Sequence, residues 1–208
     1  MEHTFFQKVQ IFFIELLAKV HWRQQEELSP ESMAALKQRF ADHYYIIATR
    51  RDNQLTTFFI CLGNWFLTGN WGYYSHVLMN LEDEVKTDDD YRFIEASGKG
   101  VHYSSFDEVF KPVYAAALIA PKNMTIEEWT EALDASKTYL GRPYDNLFNL
   151  KNDLEINCVE LMRLALEGVP GYSEKFAEFE KLVAKKGKLT PDMFLQCADF
   201  QVVHTVKR

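Results

Sequence analysis

The chain is short of cysteine, short of positive charge and without an uninterrupted apolar run, and each shortage closes off a class of protein. Its three cysteines, Cys61, Cys158 and Cys197, form an odd set with no close pair, so a disulfide framework is not expected and a reducing compartment is. No Cys-x-x-Cys or His-Glu-x-x-His spacing occurs, which speaks against zinc, and neither a metal nor another cofactor is expected. Lys and Arg number 23 against 30 Asp and Glu, a formal net charge of -7, so nucleic acid is not an expected partner. The basic run at 184–188 is too short to alter that balance. Residues 4–20 are rich in Phe, Ile and Leu but are broken by Gln7, Lys8, Gln10, Glu15 and Lys19. A transmembrane helix needs about 20 apolar residues in succession, and a signal peptide needs a basic start, an unbroken apolar stretch and a small-residue cleavage site. The segment reads instead as an amphipathic helix, with peripheral contact to a membrane or a partner as its second reading. A cytoplasmic location is the resulting expectation.

What is present is enough to build a core: 47% of the 208 residues are hydrophobic and 14% aromatic, a size that fits one domain with a helical extension. Helix-spaced apolar residues predict helices over 3–22 and 30–44, the second begun by Ser29 as cap and Pro30 at the first helical position. A short β-branched run at 45–49 predicts a strand, and 55–67 a buried helix. Strands are then expected at 73–80, 91–96, 101–103 and 113–119, with the acidic stretch 82–90 as a solvated hairpin loop. Residues 121–140 read as a crossover into a helix, since Thr125 and Glu128 have capping-box spacing. Helices at 158–166 and 173–185 and a strand at 200–206 complete an α+β pattern without internal repeats.

The chemistry concentrates in Asn157-Cys158-Val159-Glu160-Leu161, which sets a thiol where a helix should begin. Unpaired N–H groups and the positive end of the helix dipole favour thiolate there. An imidazole can take the thiol proton and a third polar group can fix the imidazole's tautomer. The chain offers both on strand-like segments, in Tyr74-Ser75-His76-Val77-Leu78 and Phe93-Ile94-Glu95-Ala96. Period-two alternation puts Tyr74, His76 and Leu78 on one face of their strand. Each residue also has a plainer reading. Cys158 is a small buried hydrophobe, His76 a core imidazole on a backbone carbonyl, and Glu95 a strand-end residue reaching solvent. His102 is the alternative base. Tyr144 either packs in the core or lends its hydroxyl to a pocket, and Ser75 and Asn157 are expected to line that pocket beside it. The N–H of Cys158, at the helix start, is the natural donor to an oxyanion. Cys61 and Cys197 have no such company and are expected to be structural.

Taken in order over about 44–169, these pieces resemble the circularly permuted branch of the NlpC-type papain-like cysteine hydrolases, of the YiiX/YebB kind. The resemblance is carried by the aromatic-Ser-His-Val strand, the strand ending Ile-Glu-Ala, Gly100-Val101, an apolar strand leading into a helix, Gly141-Arg142-Pro143-Tyr144-Asp145, and the Asn-Cys-x-Glu-Leu helix start. It implies an antiparallel, barrel-like sheet packed on the helix that bears the cysteine, in a domain of 44–208 preceded by a helical extension of 1–43. It also implies Cys158 as nucleophile, His76 as base, Glu95 as the group orienting it, and an amide substrate: a small peptide, a muropeptide-like compound or an N-acyl amino acid. Val159 stands where many relatives carry Ser, and Leu78 and Met79 follow the His-Val pair where Gly is common. Two alternatives are kept. A lipid acyltransferase of the lecithin:retinol-acyltransferase type shares the permuted order and the Asn-Cys context. A catalytically degenerate relative would serve as a binding domain, its acidic surface meeting a basic partner.

Overall fold

The computed structural model describes residues 8–9, 12, 16, 27–40, 43–51, 58, 60–62, 65, 72–81, 92–146, 154–187 and 189–208. Six strands, β1 (Ile46–Arg50), β2 (His76–Asn80), β3 (Arg92–Ser97), β4 (Gly100–Ser105), β5 (Ala115–Pro121) and β6 (Phe200–Lys207), form one sheet in the order β4-β3-β2-β1-β5-β6. Every neighbouring pair is antiparallel. Helices with both ends among the described residues are α1 (Pro30–Phe40), α2 (Phe106–Phe110), α3 (Ile126–Lys137), α4 (Cys158–Glu167), α5 (Tyr172–Lys175), α6 (Ala177–Lys186) and α7 (Asp192–Gln196).

Alternation along the strands supplies both faces of the sheet with apolar side chains. On one face Ile46, Ala48, Val77, Met79, Ile94 and Ala96 pack with residues of α3, α4, α6 and α7. On the other, Ile47, Leu78, Phe93 and Leu118 meet Leu36 and Phe40 of α1 and the phenylalanines of α2. The α+β expectation therefore stands, and the barrel-like sheet does not. The sheet is open, with β4 and β6 at its edges. Closure needs the two edge strands to pair, whereas β2 and β3 share only two ladder positions, Met79↔Ile94 and Asn80↔Phe93, before they part. Towards His76 and Glu95 the two strands are no longer paired by their backbones.

Tyr74 corrects the expected alternation. It lies before β2 begins and packs with Val77 and Met79, while Leu78 belongs to the opposite core. The expected helix over 173–185 breaks at Phe176, whose backbone turns to φ -119 and ψ 33 as its buried ring stacks on Phe200 at 5.5 Å. The sequence reading also passed over α2 and α7, each a single turn or so. The capping box of Ser105 and Glu108 was the visible sign of α2. Within the expected helices over 3–22 and 55–67, Lys8, Val9, Phe12, Leu16, Phe58, Ile60, Cys61, Leu62 and Trp65 are helical. The acidic stretch 82–90 lies outside the described residues. Among the described residues no helix is long and apolar enough to cross a membrane.

Candidate active site

Cys158 is the first residue of α4, and Asn157 is its cap. Asn157 Oδ1 accepts from the N–H groups of Val159 (3.1 Å) and Glu160 (3.0 Å), and the Glu160 carboxylate reaches back to Asn157 N at 3.4 Å. The N–H of Leu161 starts the helical ladder on Asn157 O. Of the first-turn donors, that leaves the N–H of Cys158 itself without a partner among the described residues. Asn157 is 1% exposed and its side chain is committed to the cap, so the expected pocket-lining residue is the one that seats the cysteine.

The start of α4 meets the sheet where β2 and β3 separate. The Cys158 sulfur accepts from the N–H of Val77 in β2, and it is hydrogen-bonded to His76 and to the Tyr144 hydroxyl. On the far side of the ring, His76 Nε2 lies 2.6 Å from Glu95 Oε2, which leaves Nδ1 for the sulfur. The structure thus brings together Cys158, His76, Glu95 and Tyr144 from four separate stretches of chain. Ser75 sits just before β2, buried, its N–H donating to Thr49 O at 3.0 Å. His102, the alternative base, is on the other side of the carboxylate: its Nε2 is 3.6 Å from Glu95 Oε1.

Each part is held from behind. Asp192 at the start of α7 accepts from the N–H groups of Tyr73 (3.0 Å) and Tyr74 (3.1 Å), fixing the entry into β2. At the other end of β2, Asn80 Oδ1 accepts from Tyr45 N at 2.6 Å and its amide donates to His43 O at 2.9 Å. Tyr144 is delivered by a loop clipped to β4: Val101 N donates to Arg142 O (2.8 Å) and Gly141 N to Val101 O (2.9 Å). Gly100 makes that clip fit. A Cβ there would lie 2.4 Å from Arg142 O, and its φ of +88 is one that side-chain-bearing residues avoid.

The electrostatics are those of an ion pair. Burial works against a charged sulfur, yet the His76 imidazolium, the Val77 N–H and the Tyr144 hydroxyl hold the Cys158 thiol below its ordinary range. Burial likewise opposes a charged His76, but the Cys158 thiolate and Glu95 raise it to about 9. Glu95, pushed up by burial, is pulled down to about 2 by His76, Ser104 and His102. Tyr144 is raised well above the usual phenol by burial and by the thiolate beside it, so its hydroxyl keeps its proton and serves as a donor. Arg51 and Ser104 also belong to this neighbourhood, and the sequence reading named neither. Arg51, half-buried, feels the compensating charge of Glu95, and Ser104 donates to Glu95 Oε1. Both depend on register: Thr49 of β1 lies opposite His76, and His102, two residues before Ser104, lies opposite Glu95. The spacing within one segment does not reveal that.

No family model matches the chain, and no curated protein matches it. Among solved structures it is similar to the metalloprotein YiiX of Escherichia coli O157:H7, with a TM-score of 0.58 and 17% identity over 80% of this chain and 97% of that one. The likeness shows a YiiX-like fold. Here, among the described residues, no three His, Cys, Asp or Glu side chains group as metal ligands. At the site itself the donors are spent on one another, His76 Nε2 on Glu95 and Glu95 Oε1 on Ser104. The residues as arranged do not fit a metal ion.

Proposed function

We propose that this protein is a cysteine hydrolase that cleaves an amide bond, with Cys158 as nucleophile, His76 as proton carrier and Glu95 as the group that orients it. One observation carries the reading: a sulfur at a helix start is hydrogen-bonded to an imidazole whose other nitrogen rests on a buried carboxylate at 2.6 Å. Nucleophile, base and orienting group in contact are what acyl transfer through sulfur requires. The thiolate attacks the carbonyl carbon, and the pair of electrons displaced from the C=O collects on oxygen. The unspent N–H of Cys158 stabilises that oxygen, and the Tyr144 hydroxyl can turn to it as charge leaves the sulfur. His76 then gives its proton to the leaving nitrogen as the C–N bond breaks. Water then gives one proton to the neutral His76 and adds to the thioester carbonyl; the C–S bond breaks, its electron pair returns to sulfur, the acid leaves, and the thiolate–imidazolium pair is restored. Asn157 in this reading positions Cys158 instead of touching substrate. Peptides, muropeptide-like compounds and N-acyl amino acids are the substrate candidates, and a reducing cytoplasm suits a site that depends on a free thiol.

A second reading has one observation in its favour. Val9, Phe12 and Leu16, spaced along one helical face, are 36%, 61% and 47% exposed, which is how a helix that rests on lipid presents itself. In that case the acyl donor is a lipid ester. Incubation with a panel of γ-glutamyl and N-acyl amino-acid amides, dipeptides and phospholipid vesicles separates the two, with the acyl-enzyme trapped by an electrophile library and mapped by mass spectrometry. The expected outcome is an adduct on Cys158, turnover of an amide, and no turnover by Cys158→Ala at an unchanged Tm. Turnover that survives Cys158→Ala overturns the proposal. Adducts spread evenly over Cys61, Cys158 and Cys197 would leave a binding domain.

A further inference from the structure

Glu95 has two oxygens, and the triad uses one. We infer that Ser104 and His102 form a second tether on Glu95, making them positioning residues for His76; the inference deepens the hydrolase reading and rests on it for its kinetic consequence. The geometry is that of a chain of contacts. Glu95 Oε2 faces His76 Nε2 at 2.6 Å, and Oε1 accepts from the Ser104 hydroxyl. His102 Nε2 is 3.2 Å from Ser104 Oγ and 3.6 Å from Glu95 Oε1, and its Nδ1 is 2.9 Å from Gly100 O. Ladder register accounts for it, because Glu95 lies directly opposite His102, and Phe93 opposite Ser104. Side chains of directly opposed and diagonal positions on one face are within reach of each other.

A count of hydrogens shows how the tether works. Gly100 O can only accept, so Nδ1 of His102 carries a hydrogen. The Ser104 hydroxyl has one hydrogen, and it goes to Glu95. The approach of His102 Nε2 to Ser104 Oγ is then a hydrogen bond only if Nε2 carries a hydrogen as well. All the contacts are satisfied together when His102 is an imidazolium. When the ring is neutral, Ser104 must choose between Glu95 and Nε2. The tether on Glu95 is therefore full with His102 protonated and divided with His102 neutral. Among the described residues, the other groups facing this carboxylate are His76 from β2, the Cys158 thiolate and the Tyr144 phenol beyond it, and Arg51 after β1. The exposed Lys99–Glu108 pair at 3.7 Å joins the residue before β4 to α2. His102 is 23% exposed at its side chain and can exchange protons with water, while Ser104 is 4% exposed.

The test reads Glu95 directly, by the carbon chemical shift of its carboxyl group against pH, in wild type, Ser104→Ala, Ser104→Thr and His102→Gln. Loss of a donor to an ionised carboxylate moves its titration upward by about one pH unit. Ser104→Ala is expected to show that shift, and Ser104→Thr, which keeps the hydroxyl, to return to wild type. His102→Gln is expected to shift Glu95 in the same direction and by less. Iodoacetamide labelling of Cys158 at neutral pH is expected to slow several-fold in Ser104→Ala and to recover in Ser104→Thr. A Glu95 titration unmoved by Ser104→Ala overturns the tether. One moved by Ser104→Ala but indifferent to His102→Gln removes His102 from it. The two readings fail separately: slow labelling of Cys158 in wild type with a shifted Glu95 leaves the tether and sinks the hydrolase, and the reverse pattern does the opposite.

Discussion

Cys158 and Cys197 are both buried, 3% and 7% exposed, and both sit at the end of a helix. Cys158 opens α4, where backbone N–H groups point outward; Cys197 closes α7, where carbonyls do. Cys197 has a carboxylate for company, Asp199 Oδ2 at 3.7 Å, and burial pushes its thiol up to about 11. Cys158 suffers burial too, but an imidazolium, a backbone N–H and a phenol hydroxyl reverse the direction. Burial alone thus makes a thiol inert, and what distinguishes the candidate nucleophile is the set of donors converging on it.

The largest expected effect exploits that contrast. At pH 7 a thiol of pKa about 11 is thiolate only to about one part in ten thousand. Iodoacetamide is therefore expected to label Cys158 at least about 100-fold faster than Cys197 in the folded protein, and at equal rates in denaturant, as read by peptide mass spectrometry. His76→Ala should collapse most of the difference. Equal rates in the folded wild type would erase the comparison.

A smaller effect concerns what holds the imidazole. Glu95, lowered to about 2 from an ordinary 4.5, contributes stability that is present above pH 4.5 and is lost as pH falls toward 2. The shift corresponds to about 3 kcal/mol at most. The Tm difference between wild type and Glu95→Gln is expected to be largest above pH 4.5 and to shrink below it. On the alkaline side the pair hides itself. His76, raised to about 9, contributes stability that is present below pH 6.5 and is lost as pH rises to 9, while the lowered Cys158 gains stability over its own window. Where the folded pair is thiolate and imidazolium and the unfolded pair is thiol and imidazole, both states hold one proton and the slopes cancel. The wild-type Tm is therefore expected to show no slope from this pair between pH 6.5 and about 9, as read by thermal unfolding against pH.

How much of this was legible beforehand follows from where each signal resides. Cys158, His76 and Glu95 stand in local contexts that the chain spells out, a cap before the cysteine and strand patterns around the other two. The α+β composition and most elements followed from periodicity, to within a few residues. The open sheet did not, because whether the edge strands β4 and β6 meet depends on the pairing of all six strands and on no single segment. Alternation misplaces Tyr74 because the strand, expected from residue 73, starts at His76. The capping role of Asn157 was legible too, since the Asn-x-x-Glu spacing of 157 and 160 is itself that of a capping box. Ser104 was invisible since only the β3–β4 register sets it beside Glu95.

The smallest expected effect concerns the field around the two sulfurs. Arg51 follows β1, two residues beyond Thr49, which lies opposite His76. Burial lowers its affinity for its proton and Glu95 restores part of it, so the guanidinium and that carboxylate compensate each other beside a thiolate–imidazolium pair that is neutral overall. Around Cys197 the neighbouring charges are those of Asp199 and Glu178, both negative. Iodoacetate and iodoacetamide attack the same thiolate and differ in charge, so the ratio of their rates cancels the thiolate fraction and reports the local field. That ratio is expected to be higher at Cys158 than at Cys197, and to fall about two- to fivefold at Cys158 in Arg51→Gln, the size of one screened charge at moderate distance. The iodoacetamide rate itself should barely move. If the ratio at Cys158 is unchanged in Arg51→Gln, the guanidinium is not felt at the sulfur, and the difference between the two thiols reduces to hydrogen bonding and the His76 charge.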